Sequence, residues 1–152
     1  MSEFKNLVAD ITLSYYPKIK IKDRPKVNGA RAVAQIFRDN WDDTQIGLVE
    51  EFKVMLLDRG TRIIGILPLS KGGMSGVYVD SKLIFIAALK AAASNIILVH
   101  NHPSTDARPS AQDIRLTRKI CEGARLLDME VLDHIILTAD DHYSFSEEGL
   151  IP

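Results

Sequence analysis

The stretch Asn95-Ile96-Ile97-Leu98-Val99-His100-Asn101-His102-Pro103 decides how this chain folds. Its opening residues form a continuous apolar run of strand length. They read as a buried strand that delivers His100 to its end. On an extended chain, residues i and i+2 point to the same side, about 6–7 Å apart at Cα. His100 and His102 can therefore converge on one ion at about 2.0–2.1 Å each. Pro103 lacks an N–H and stops the strand. The loop Ser104-Thr105-Asp106-Ala107-Arg108-Pro109 is rich in turn formers. A helix is predicted from about Ser110, with Asp113 in its first turn, able to face back toward the histidines. Two imidazoles and one carboxylate, with a fourth position left for water, is the pattern of a catalytic zinc site.

Each part alone has a plainer reading. His-x-His is common, and Ser110-Ala111-Gln112-Asp113 also reads as a capping box with Asp in place of Glu or Gln. The two readings are compatible, because a first-turn carboxylate can both cap and reach outward. The order of strand, His-x-His-Pro, turn-rich loop and Ser-x-x-Asp helix start is far more specific than any one component.

His100-x-His102-Pro103 with Ser110 and Asp113 resembles the JAMM motif (His-x-His, ten residues, Asp) of the JAB1/MPN/Mov34 metalloproteases. The text around it is closer still to the bacterial RadC-like branch. It runs from Ala91 to Ser104, with Val131-Leu132-Asp133-His134 and the ending Ser144-Phe145-Ser146-Glu147-Glu148-Gly149-Leu150. The resemblance covers about residues 45–150. It implies a JAB1/MPN fold, related to the cytidine deaminases, and Zn2+ held by His100, His102 and Asp113. It also implies an upstream glutamate that works on the attacking water. The matching strand is Glu50-Glu51-Phe52-Lys53-Val54-Met55-Leu56-Leu57, and the branch pattern points to Glu50 as the acid/base. Glu51, its neighbour, falls on the opposite face by alternation. Without the downstream motif, both would read as solvated residues at a strand start. Ser110 matches the family serine that helps stabilise the oxyanion of the tetrahedral intermediate. The implied activity is metal-assisted hydrolysis of a peptide or isopeptide bond, so a protein or peptide substrate is the expected partner.

Two other readings compete. The branch carries a DNA-repair label, so a repair-associated or mobile-element accessory protein with a structural or vestigial metal is the alternative. The literal letters His100-Asn101-His102 invite a His-Asn-His nuclease. That reading is set aside, because such nucleases spread their residues over a longer ββα unit and Asn101 would point away from both histidines.

The remaining histidines carry less. Asp133-His134 lies inside the apolar strand Val131–Leu137; a core histidine is the simpler reading, and support of the metal ligands is the functional one. His142 reads as a turn residue. Cys121 offers neither a disulfide within the chain nor a Cys-x-x-Cys metal site, and reads as a small packing residue.

Composition bounds the rest. The chain has 152 residues, 46% hydrophobic and 26% charged, as in ordinary globular domains. No apolar run reaches membrane-spanning length, so no membrane partner is expected. Met1-Ser2-Glu3-Phe4-Lys5-Asn6 lacks a signal pattern, which makes the cytoplasm the expected location. The net charge of −1 argues against a general nucleic-acid binder. Residues 1–38 nevertheless hold eight Lys or Arg against three Asp or Glu, a net of +5. Within them, Lys18-Ile19-Lys20-Ile21-Lys22 reads as an edge strand guarded by lysines, with a phosphate-contacting patch as the functional alternative. Nothing in the sequence signals an oligomeric state.

In chain order, the patterns predict a strand over 8–16 and a helix capped by Asn28 and running to about Asn40. A hairpin follows over 50–57 and 61–69 around Asp58-Arg59-Gly60. A glycine-bearing loop at 72–76 leads to a helix capped by Asp80 and running to about Ala93. Then come the His100 strand, the Ser110 helix, the strand 131–137 and a short strand near 143–145. This alternation predicts an α/β sandwich with a mixed, mostly antiparallel sheet. Residues 1–45 are expected to form an N-terminal extension of strand plus helix, packed on a domain of residues 46–152.

Overall fold

The computed structural model describes residue 9, residues 16–73 and residues 76–152. Its elements are a 3-10 turn Ile21–Asp23, α1 (Ala30–Asp39), β1 (Glu51–Leu57), β2 (Ile63–Lys71), α2 (Ser81–Lys90), β3 (Asn95–Asn101), α3 (Ala111–Leu126), β4 (Glu130–Leu137) and β5 (His142–Ser144). The five strands form one sheet in the order β2-β1-β3-β4-β5. β3 lies at its centre, antiparallel to β1 and parallel to β4. β1 with β2 and β4 with β5 are antiparallel. The expected mixed, mostly antiparallel α/β sandwich is the observed one.

Every residue of β3 is buried. A central strand covered on both faces needs such an unbroken apolar run rather than alternation. One face carries Met55, Leu57, Ile97, Val99, Ile135 and Leu137 against Val33, Ala34 and Phe37 of α1. The other carries Phe52, Val54, Leu56, Ile96 and Leu98 against Ile84 and Ala88 of α2 and Ile120, Cys121 and Ala124 of α3. Cys121 is a packing residue, as its sequence context suggests. Among the described residues, no helix is long and apolar enough to cross a membrane.

Three local expectations change. Lys18–Lys22 forms a bend and the 3-10 turn rather than an edge strand, and Ile19 and Ile21 stay exposed. Pro17 and Pro25 flank the segment and interrupt any ladder. The chain instead pairs a little later, through Lys26 opposite Arg62, with Val27 N donating to Thr61 O at 3.1 Å. The first helix is capped by Gly29 rather than Asn28, at φ 86, a backbone setting that favours glycine. α2 stops at Lys90 because Ala92 turns left-handed at φ 52 and Ala93 N returns to Ala88 O at 2.9 Å. The strand expected over 8–16 falls outside the described residues, Ala9 and Tyr16 apart.

Candidate metal centre

Even-numbered residues of β1 and β3 face α2 and α3, and this parity carries His100 to the helix side at the strand end. His100 is buried and stacks on Phe52, with ring centres 5.7 Å apart. His102 follows on the same side, its backbone N donating to Leu137 O at 2.8 Å. Ser110 caps α3 through its side chain, which accepts from Asp113 N at 3.1 Å. Asp113 answers in the same box: its Oδ2 accepts from Ser110 N and Ser110 Oγ, each at 2.7 Å. Those bonds hold the carboxylate over the strand end. Its Oδ1 lies 3.3 Å from His100 Nε2, and its Oδ2 3.4 Å from His102 Nε2. The two Nε2 atoms are 3.1 Å apart. One geometry makes Asp113 the capping carboxylate and leaves it a candidate ligand.

These donors fit a small divalent cation. Tetrahedral bonds of about 2.0–2.1 Å put neighbouring ligand atoms about 3.3–3.4 Å apart, close to the spacings here. His102 Nδ1 lies 2.9 Å from Asp106 O. A carbonyl only accepts, so Nδ1 carries the proton and Nε2 offers a lone pair. His100, His102 and Asp113 are the one His/Cys/Asp/Glu group of this kind among the described residues, with ligand atoms within 4.8 Å of one another. Burial raises the Asp113 pKa, but the adjoining His100 and His102 rings and the Ser110 bonds outweigh it and hold the carboxylate far below its usual range. Burial likewise opposes the charging of His102, yet its contacts to Asp113 and the Asp106 carbonyl raise its pKa overall.

The two candidate glutamates separate by face. Glu50 Oε1 lies 4.0 Å from His100 Nε2. Glu51 points to the other side, 3.8 Å from both Lys53 and Lys71. Burial, helped by the Asp113 charge, raises the Glu50 pKa against the opposing pull of the histidines. Glu50, His102, Ser110 and Asp113 line one cleft of about 210 Å³ with Phe52 and Leu116. Ser110, whose hydroxyl donates to Asp113, is one of the residues lining this cleft.

Two further residues bear on the site. Asn101 does point away from the histidines, and its side chain is fully buried. Its amide donates to Ile46 O at 2.7 Å and Val49 O at 2.8 Å, and its carbonyl accepts from Glu51 N at 2.7 Å. It thereby ties the approach to β1, Glu50 included, to the His100 strand. His134 is also fully buried, with Nε2 2.8 Å from His100 Nδ1 and Nδ1 2.6 Å from Thr117 Oγ1. The two sequence readings of His134 therefore coincide: it is a satisfied core histidine, and its partner is a ligand candidate. Burial, and then the charge of His100, push its pKa well below the ordinary histidine value, so it stays neutral. Thr117 had no motif to mark it; only its spacing of four residues from Asp113 could have drawn attention. His142 lies on the short edge strand β5, outside the cluster.

Comparison with known proteins identifies the family. A family model described as "RadC-like JAB domain" matches residues 27–150. A UPF0758 protein of Porphyromonas gingivalis is 46% identical over 103 residues, 67% of this chain and 45% of that protein. A UPF0758 protein of Flavobacterium johnsoniae is 43% identical over 101 residues, 66% of this chain and 44% of that protein. One from Desulfitobacterium hafniense is 32% identical over 128 residues, 84% and 55% respectively. This chain spans about half the length of the curated relatives it matches.

Proposed function

This chain belongs to the RadC-like JAB domain family, and we propose that it hydrolyses peptide or isopeptide bonds with Zn2+ held by His100, His102 and Asp113. The observation that carries this reading is the convergence of those ligand atoms within 4.8 Å, with the Glu50 carboxylate 4.0 Å from His100. A cation held there supplies Lewis-acid polarisation of the scissile carbonyl and acidification of water. Glu50 then acts as general base and returns the proton to the leaving nitrogen as general acid, a task its raised pKa suits. Ser110 sits on the same cleft. Rotation of its hydroxyl away from Asp113 would present a donor to the developing oxyanion. The Phe52 ring walls the site and keeps the electrostatics strong by excluding water.

The test pairs a metal assay with a hydrolysis assay on peptide and isopeptide-linked substrates. We expect wild type to bind about one zinc per chain and to cleave a subset of substrates. Glu50→Gln should keep the zinc and lose at least about 100-fold in rate. Zinc binding with no cleavage in wild type would favour the competing reading, a DNA-associated accessory protein with a structural metal.

A further inference from the structure

We infer that Thr117 and His134 are positioning residues that select the tautomer of His100, turning its Nε2 lone pair toward His102 and Asp113. The inference deepens the metal reading above and rests on it for its use, though its geometry stands without a metal.

The direction follows from counting protons. Thr117 lies one turn after Asp113 on α3, and its Oγ1 is 2.7 Å from Asp113 O. A carbonyl oxygen can only accept, so the single hydroxyl proton of Thr117 goes there. The same Oγ1 is 2.6 Å from His134 Nδ1. Having spent its proton, it must accept, so His134 carries its proton on Nδ1. The other nitrogen of that neutral ring, Nε2, is then bare. It lies 2.8 Å from His100 Nδ1, which must donate to it. His100 is left with an unprotonated Nε2, 3.1 Å from His102 Nε2 and 3.3 Å from Asp113 Oδ1.

Reversing one bond reverses the chain. If Thr117 donated to His134, His134 Nε2 would donate to His100 Nδ1. His100 would then present an N–H, and a cation would find no lone pair. Water cannot easily rescue the arrangement. Thr117 and His134 are buried, and His134 is sandwiched by Phe145, stacked at 4.7 Å, and by Phe52, edge-on at 5.6 Å. His102 reaches the same tautomer by a separate route, through the Asp106 carbonyl. One ligand is thus set by a loop carbonyl, the other by a relay that begins on the helix bearing the third ligand.

Two substitutions at Thr117 separate this role from packing. Thr117→Val keeps the volume and removes the hydroxyl; Thr117→Ser keeps the hydroxyl and removes a methyl. Two readouts apply: long-range proton–nitrogen NMR of the histidine rings in metal-free protein at pH 8, and zinc affinity by competition with a chromophoric chelator. We expect protons on Nδ1 of both His100 and His134 in wild type and Thr117→Ser. Thr117→Val should disturb this pattern and weaken zinc binding by about 10–100-fold, while Thr117→Ser stays near wild type. A proton on Nε2 of either ring in wild type overturns the inference. So does the opposite ranking, with Val retaining affinity and Ser losing it, which is the behaviour of a packing residue. Wild type with both protons on Nδ1 but no zinc uptake supports the relay and removes the metal reading.

Discussion

At the scale of single residues, neighbours in sequence are given opposite fates by strand parity. Glu50 faces the cluster, whereas Glu51 is shared between two lysines. Glu51→Gln should therefore leave hydrolysis within a few-fold of wild type, where Glu50→Gln abolishes most of it; the comparison of the two rates decides. A pH profile adds a sign. General-base action needs the carboxylate form, and burial raises the Glu50 pKa above its ordinary value of 4.5. The acid limb of kcat should consequently lie above that value, with activity rising as pH rises through it. His102 gives a second sign. Its raised pKa means that a proton competes with the cation, so zinc affinity should begin to fall at a pH above 6.5 as the medium is acidified. Chelator competition across a pH series measures this. The letters His-x-His, Asp113 and Ser110 were legible in the sequence because short spacing and a helix start fix their relation. Glu50 was singled out by the family resemblance, and alternation only put its neighbour Glu51 on the opposite face.

At the scale of elements, the approach to β1 is held by one side chain. Asn101 satisfies Ile46 O, Val49 O and Glu51 N together, from the interior of the sheet. Replacing it by leucine leaves buried backbone groups unpaired, each worth about 1–3 kcal/mol. We expect Asn101→Leu to lose about 3 kcal/mol or more in urea unfolding, and an unchanged midpoint would refute this account. In the sequence Asn101 was only the letter between two histidines. Its partners lie some fifty residues upstream, and no local pattern encodes them. The same limit explains the Lys18–Lys22 segment. Alternation is a signal of a half-buried strand only if something buries the apolar face, and here Ile19 and Ile21 meet solvent. The C-terminal end of α2 departs from expectation for a related reason, although Asp80 caps its start as the sequence predicts: Ala92 takes a left-handed setting that its type does not advertise.

At the scale of the whole molecule, the three ligand candidates come from a strand end, the loop after it and a helix start. They meet only when β3 and α3 are packed. A cation that binds the folded arrangement and not the unfolded chain must stabilise the fold by mass action, by about 2.7 kcal/mol at a hundred times Kd. Zinc should raise the thermal midpoint of wild type and leave that of a His100→Ala, His102→Ala variant unmoved. Calorimetry with and without zinc tests this. The basic excess in residues 1–38 supports the competing proposal of DNA association. It requires affinity that falls steeply with salt. Flat salt dependence in an electrophoretic binding series would dispose of it.

The sequence by itself determined the order of elements along the chain, the sandwich class and the candidate metal group of His100, His102 and Asp113. Periodicity, caps and spacings of a few residues are local, and local geometry is what backbone stereochemistry dictates. Only the tertiary structure decided which glutamate faces the cluster. It alone showed that Asn101 anchors the segment before β1, and that Thr117 and His134 complete a bonded chain to His100. Those relations join residues far apart along the chain, and they exist because burial leaves each polar group no partner but the one packing brings to it.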